Sequence, residues 1–155
     1  MEAIAEVTRL AFDKTQGQEV QMVADYRAAP DFISALSLVA ESGGRVVGHV
    51  ITAPAELRGD PGDLLRPRRV LYLGPISVLP EFQRRGVGSA LMRRTLDLCA
   101  CRPEPMIVLW GHSDYYPRFG FRPAREFGLE PGSDAAMVYP LCSDIRAYAG
   151  LELPG

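Results

Sequence analysis

The stretch Leu73-Gly-Pro-Ile-Ser-Val-Leu-Pro-Glu-Phe-Gln-Arg-Arg-Gly-Val-Gly-Ser-Ala-Leu-Met92 decides how this chain is read. Val70 to Val78 leads in as a β-type run. The turn Leu79-Pro80-Glu81-Phe82 separates it from the glycine loop Gln83-Arg84-Arg85-Gly86-Val87-Gly88, and Ser89 to Cys101 then reads as helix. Glycines at a strand-to-helix junction let the backbone approach a ligand closely and leave the first amide N–H groups of the helix unused. Those donors, with the positive end of the helix dipole, form a site for an anion, above all a phosphate.

Two common phosphate loops do not fit. A Walker loop ends in Gly-Lys-Ser/Thr, with the lysine on the terminal phosphates. Here Gly88-Ser89 follows with no lysine between. A dinucleotide fingerprint needs a third glycine in G-x-G-x-x-G. In Gly86-Val87-Gly88-Ser89-Ala90-Leu91 that position is leucine, and the loop lies in mid-chain instead of after the first strand.

What remains is Q-x-x-G-x-G ahead of a helix, and this resembles the pyrophosphate loop of GCN5-related N-acetyltransferases (GNAT). The whole stretch from Leu73 to Met92 is similar to that family's central block. A second string, Gly111-His-Ser-Asp-Tyr-Tyr-Pro-Arg-Phe-Gly-Phe121, resembles its late Tyr-x-x-x-Gly-Phe ending and the bacterial subgroup with a Gly-His-x-x-Tyr-Tyr-x-Arg-Phe-Gly-Phe signature. The blocks stand in the family's order and spacing, and the resemblance covers about residues 1–141.

The resemblance implies an α/β (α+β) fold: a central mixed, mostly antiparallel sheet, splayed between the fourth and fifth family strands and flanked by helices. It implies acetyl-CoA as acyl donor, with no metal. Transfer would go directly to an amine in a ternary complex. The diphosphate would rest on Gln83, Arg84, Arg85, Gly86, Val87, Gly88 and Ser89. The pantetheine arm would pair with the backbone of Ile76, Ser77 and Val78, where Gly74-Pro75 carries the signs of a bulge. The resemblance also implies that the backbone N–H of Val78, or one nearby, donates to the thioester carbonyl. Tyr116, four residues before Gly120, matches the family's general acid; a phenol near pKa 10 keeps its proton at neutral pH. Tyr115 is the fallback and a candidate cofactor contact. His112 is the first candidate base, because histidine titrates in the useful range; Asp114, Glu41 and His49 are the others. A non-catalytic acyl-CoA-binding module on the same fold is the alternative, and Tyr116→Phe separates the two.

Composition bounds the rest. The chain has 155 residues, 47% apolar and 23% charged, which suits one soluble domain over residues 1–155. A net charge of −2 gives no reason to expect nucleic acid or a membrane as partner. There is no apolar run of transmembrane length. Acidic Glu2 and Glu6 stand where a signal peptide would be basic. Cys99, Cys101 and Cys142 lack metal-type spacing and read as buried free thiols in a reducing cytoplasm.

The remaining elements follow from periodicity and breakers. Glu2–Phe12 and Gln18–Ala28 are expected helices, the second ended by Pro30. Ile33–Glu41 and Arg45–Ala53 are expected strands around the hairpin turn Ser42-Gly43-Gly44. Residues 56–69 read as a loop. Met106–Trp110 and Ala136–Leu141 are expected strands, with a short helix over His112–Arg118. Val87, Leu91 and Leu98 are the expected buried side of the central helix, and Arg93, Arg94 and Asp97 its solvated side. The family opens with a strand before its first helix, whereas this chain begins almost inside that helix. That first strand is therefore expected to be absent, or the start methionine is placed late. Loss of an edge strand exposes its neighbour's backbone groups and invites another chain. Family members often form dimers, so a homodimer stays open. The amine acceptor is not legible; the reading leans to a small molecule over a protein.

Overall fold

The computed structural model describes residues 1–59, 68–130 and 135–154. Its strands form one six-stranded mixed sheet in the order β1-β2-β3-β4-β6-β5. The chain divides into two compact units, Met1–Ala53 with Leu73–Ala100, and Pro54–Tyr72 with Cys101–Gly155. Most of the expected loop over 56–69 lies outside the described residues. No helix among the described residues is long and apolar enough to cross a membrane.

The first unit opens on helix α1 (Glu2–Ala11), followed by α2 (Gln18–Ala28). Val7 and Thr8 of α1 are buried, with the polar positions Glu2, Glu6 and Arg9 left outside. Gln16 and Gly17 both take positive φ, and Gly17 caps α2 in the left-handed region. Strands β1 (Ser37–Ser42) and β2 (Arg45–Glu56) pair antiparallel. Gly43 and Gly44, at φ 57° and 76°, make the left-handed turn between them. A bulge shifts the register between Ala40 and Glu41. The strand expected from Ile33 starts later, because Ser34–Leu36 closes a 3₁₀ turn through the Leu36 N–H bond to Ile33 O. β3 (Arg69–Val78) runs unbroken through Gly74-Pro75.

Helix α3 spans Val87–Cys99, two residues earlier at both ends than the sequence spacing suggests. Gly86, at φ 86°, is the boundary residue, so Gly88 sits inside the first turn. The helix buries Leu91, Met92, Thr95 and Cys99, while Val87 and Leu98 are only half-buried. Its contact with β2 depends on Gly48. A Cβ there would stand 2.9 Å from Val87 Cγ1 and 3.1 Å from Leu91 Cδ1. The missing side chain lets helix and strand close on each other.

In the second unit β4 (Met106–Trp110) is almost wholly buried. It pairs parallel with β3 through Leu71 and Tyr72 and antiparallel with β6 (Ala136–Pro140). A two-residue strand β5 (Arg122–Pro123) pairs with β6; it has no counterpart in the sequence expectations, since two residues carry no periodicity. Short 3₁₀ turns at Ala124–Phe127 and Ile145–Tyr148 bring Ala124, Phe127, Ile145 and Tyr148 into one core with Val70, Met106, Val108 and Val138. In place of the expected helix over His112–Arg118 there is a 3₁₀ turn at Tyr116–Phe119, ended by Gly120 at φ 101°. Pro117 lies in that turn and removes a backbone donor. Of the three free cysteines only Cys99 is buried; Cys101 and Cys142 are exposed, against the expectation of buried thiols.

Candidate active site

The candidate residues fall into two groups, each held within one unit. The first is the glycine loop. The turn Pro80–Phe82 closes through the Phe82 N–H bond to Leu79 O and the Gln83 N–H bond to Pro80 O. Leu79 N–H itself donates to Val47 O on β2 at 2.9 Å. The strand end is thus fixed before the chain turns. Gln83 Nε2 then donates to Val78 O at 3.0 Å, tying the loop to the end of β3. The glutamine of Q-x-x-G-x-G therefore has a structural role, because its side chain holds the turn closed.

Beyond Gln83 the backbone is wound for close approach. Arg84 has φ 60° and Gly86 φ 86°, both left-handed. A left-handed non-glycine residue is uncommon and marks a constraint on the local chain. Gly86 caps α3 without any side-chain hydrogen bond. The first intrahelical bond in its turn is Ala90 N–H to Gly86 O, so Val87, Gly88 and Ser89 offer their amides outward. Among the described residues, nothing beyond its immediate neighbours in the chain lies within 4 Å of where a Gly86 Cβ would stand. The arrangement is an uncapped helix terminus with an open approach, which suits a diphosphate. Arg84 and Arg85 are exposed beside it, and Arg85 lies over the Phe82 ring at 5.8 Å. A backbone hydrogen bond, Arg45 and Arg85 together hold the Glu81 carboxyl below its usual range. Ser77, fully buried, donates to Thr8 Oγ1 of α1 at 3.4 Å, while Ile76 and Ser77 continue β3 toward the loop.

The second group follows β4. Tyr115 and Tyr116 meet edge to face at 5.2 Å. Tyr115 also touches Phe119 at 5.3 Å and lies under the Arg118 guanidinium at 4.8 Å. Tyr116 meets buried Phe121 at 5.9 Å, and Phe121 meets Tyr139 at 5.4 Å. Burial first, then Tyr115 and Tyr72, push the Tyr116 phenol up to about 12. His112 and Asp114 are exposed; His112 O accepts Tyr115 N–H at 3.3 Å. Phe121 is a buried packing residue, and half-buried Phe119 packs against Tyr115. Gly111 is a residue whose part sequence reasoning missed, because its neighbour is brought in only by the turn that follows: a Cβ there would run into the Tyr116 ring.

The other two base candidates differ sharply. Glu41 is exposed on β1. His49 is fully buried on β2, and burial, then the Arg27 charge, lowers its pKa to about 4. Its Nε2 lies 3.1 Å from Ser37 Oγ, which accepts Arg27 Nη1–H at 2.7 Å. His49 is therefore a neutral, packed imidazole. Among the described residues no group of His, Cys, Asp or Glu is arranged to hold a metal ion.

An uncapped helix behind a left-handed glycine loop, at the end of a strand of a mixed sheet, suits a phosphate-bearing ligand, and the similarity to known proteins assigns the family. The family profile of the acetyltransferase (GNAT) domain matches residues 1–124, and the chain belongs to that family. It is 32% identical over 118 residues to the uncharacterized N-acetyltransferase YjhQ of Escherichia coli K12, covering 76% of this chain but only 61% of that relative's length. Among solved structures, the GNAT family N-acetyltransferase YhbS from Escherichia coli, in complex with CoA, superposes with a TM-score of 0.78 at 26% identity, over 99% of this chain and 83% of the other. A GNAT family acetyltransferase from Brucella melitensis, in complex with acetyl-CoA, gives 0.72 at 31% identity, over 92% and 82%.

Proposed function

We propose that the whole chain works as one acyltransferase domain that transfers an acetyl group from acetyl-CoA directly to an amine. The carrying observation is the uncapped α3 terminus with its left-handed Arg84 and Gly86 and open approach. Two solved relatives hold CoA or acetyl-CoA, which supports the same cosubstrate here. The amides from Gln83 to Ser89 bind the diphosphate, with Arg84 and Arg85 adding charge-assisted contacts. Ile76 to Val78 lend backbone pairing to the pantetheine arm.

In the reaction the amine nitrogen attacks the thioester carbonyl carbon, a C–N bond forms and the C–S bond breaks. The departing thiolate takes the Tyr116 proton, and the phenolate recovers one from solvent. The proton released by the amine passes to His112 or to water. His49 is not the direct base, because it is buried and accepts a proton only near pH 4. We favour a small-molecule amine, since a net charge of −2 gives no strong field for a cationic protein tail. Free cysteines suit a reducing cytoplasm.

Calorimetric titration with acetyl-CoA and with coenzyme A tests the reading. Saturable binding is expected; absence of binding at millimolar ligand rejects it. A screen of amines with detection of released thiol then identifies the acceptor.

A further inference from the structure

The strongest unassigned geometry lies at Gly111, one residue after β4. A Cβ built on Gly111 would press into the Tyr116 ring, nearest to Cε2 and within 3.0 Å of Cδ2 and 3.1 Å of Cζ. The ring is not a loose tip that could turn aside. It is met edge to face by Tyr115 at 5.2 Å and by Phe121 at 5.9 Å, and Phe121 is itself buried against Tyr139. Its backbone belongs to the 3₁₀ turn Tyr116–Phe119, stiffened by Pro117. Nor does Gly111 need to be glycine for its backbone. Its φ lies outside the left-handed region, and its N–H donates to Ala135 O at 2.9 Å, a bond any residue but proline could make. The only thing an alanine would change is the space above the α-carbon.

We infer that Gly111 is a positioning residue: by lacking a side chain it sets where the Tyr116 phenol stands. This rests on the proposed role of Tyr116 as the acid that protonates the leaving thiolate. The Gly-His pair ahead of Tyr-Tyr then has a physical reason, with the glycine as the floor on which the catalytic ring lies. Displacement of a catalytic group by a fraction of an ångström up to one ångström lowers turnover by roughly tenfold to hundredfold. The loss is expected on kcat, because the role proposed for Tyr116 is proton transfer and not diphosphate binding.

The test is a cycle of Gly111→Ala, Tyr116→Phe and the double variant, with turnover and coenzyme A affinity measured for each. Tyr116→Phe alone judges the acid: a large fall in kcat with cofactor affinity kept supports it, and unchanged turnover rejects it. Gly111→Ala judges the positioning. We expect kcat to fall roughly tenfold or more at unchanged coenzyme A affinity, with little further loss when the same change is made in Tyr116→Phe. Wild-type turnover in Gly111→Ala, or losses that multiply in the double variant, overturns it. Two readouts do not depend on catalysis. In protein carrying 3-fluorotyrosine, the fluorine resonance that disappears in Tyr116→Phe should shift in Gly111→Ala; an unmoved resonance overturns the inference. If Gly111→Ala folds poorly, Tyr116→Ala should cancel its effect on melting temperature by clearing the space. A drop that persists in that background means the clash is elsewhere and overturns the inference as well.

Discussion

At His49 the chain keeps an imidazole neutral by burying it. The unfolded chain takes up a proton near pH 6.5, whereas the folded chain resists until about pH 4. Between those values the unfolded state binds more protons, so stability rises with pH and is lost as pH falls from about 6.5 toward 4. The full interval corresponds to about 3 kcal/mol. Urea midpoints measured from pH 7.5 to 4.5 should therefore decline more steeply in the wild type than in His49→Gln. Parallel declines would show that His49 is not the group responsible. Tyr116 illustrates the same physics with the opposite charge type. Burial raises its phenol to about 12, so the proton is held at every physiological pH. A free thiol has a pKa of about 8.5, so on solution values the transfer to thiolate is uphill. The same desolvation would make a bound thiolate more basic, which narrows the gap.

At the scale of elements, the junction of β3 and α3 bears the most constraint. Gly86 sits at φ 86°, where a side chain costs about 1–2 kcal/mol. Gly86→Ala should lower the urea stability by about that amount and weaken coenzyme A binding by more than the stability change explains, because relaxing φ re-aims the helix amides. Equal affinity in the variant, measured by calorimetry, would deny the loop its role. This junction is largely legible in the sequence, since glycine, proline and helical spacing are local signals. The spacing misplaces the start of α3 by two residues because Gly88 reads as loop, while only Gly86 needs the left-handed conformation. The limits of α2 and β4 match the expectation, each being bounded by Gly or Pro. Two kinds of feature are not legible. The 3₁₀ turns at Ser34–Leu36 and Tyr116–Phe119 are too short to carry a period. The contacts of Gly48 with Val87 and of Gly111 with Tyr116 depend on tertiary approach, which no window of sequence contains.

At the scale of the whole molecule, β1 stands at one end of the sheet order. An edge strand presents unpaired backbone groups that another chain can use. On this strand Val39 is 44% exposed, a large apolar side chain on an edge already interrupted by the bulge at Ala40/Glu41. Val39→Lys should leave the melting temperature nearly unchanged, as surface substitutions do within about 0.5 kcal/mol. It should also raise the temperature at which light scattering reports aggregation. Unchanged aggregation would show that this edge is not where chains first adhere.

The exposure of Cys101 and Cys142 has its own consequence. Two accessible sulfhydryls per chain permit covalent cross-links between molecules when the preparation is stored in air. Such adducts would run as dimers and higher species on a sizing column, imitating native assembly, and would vanish on adding dithiothreitol. Mass measurements meant to establish a physiological dimer therefore belong in reductant, or on a Cys101→Ser/Cys142→Ser chain.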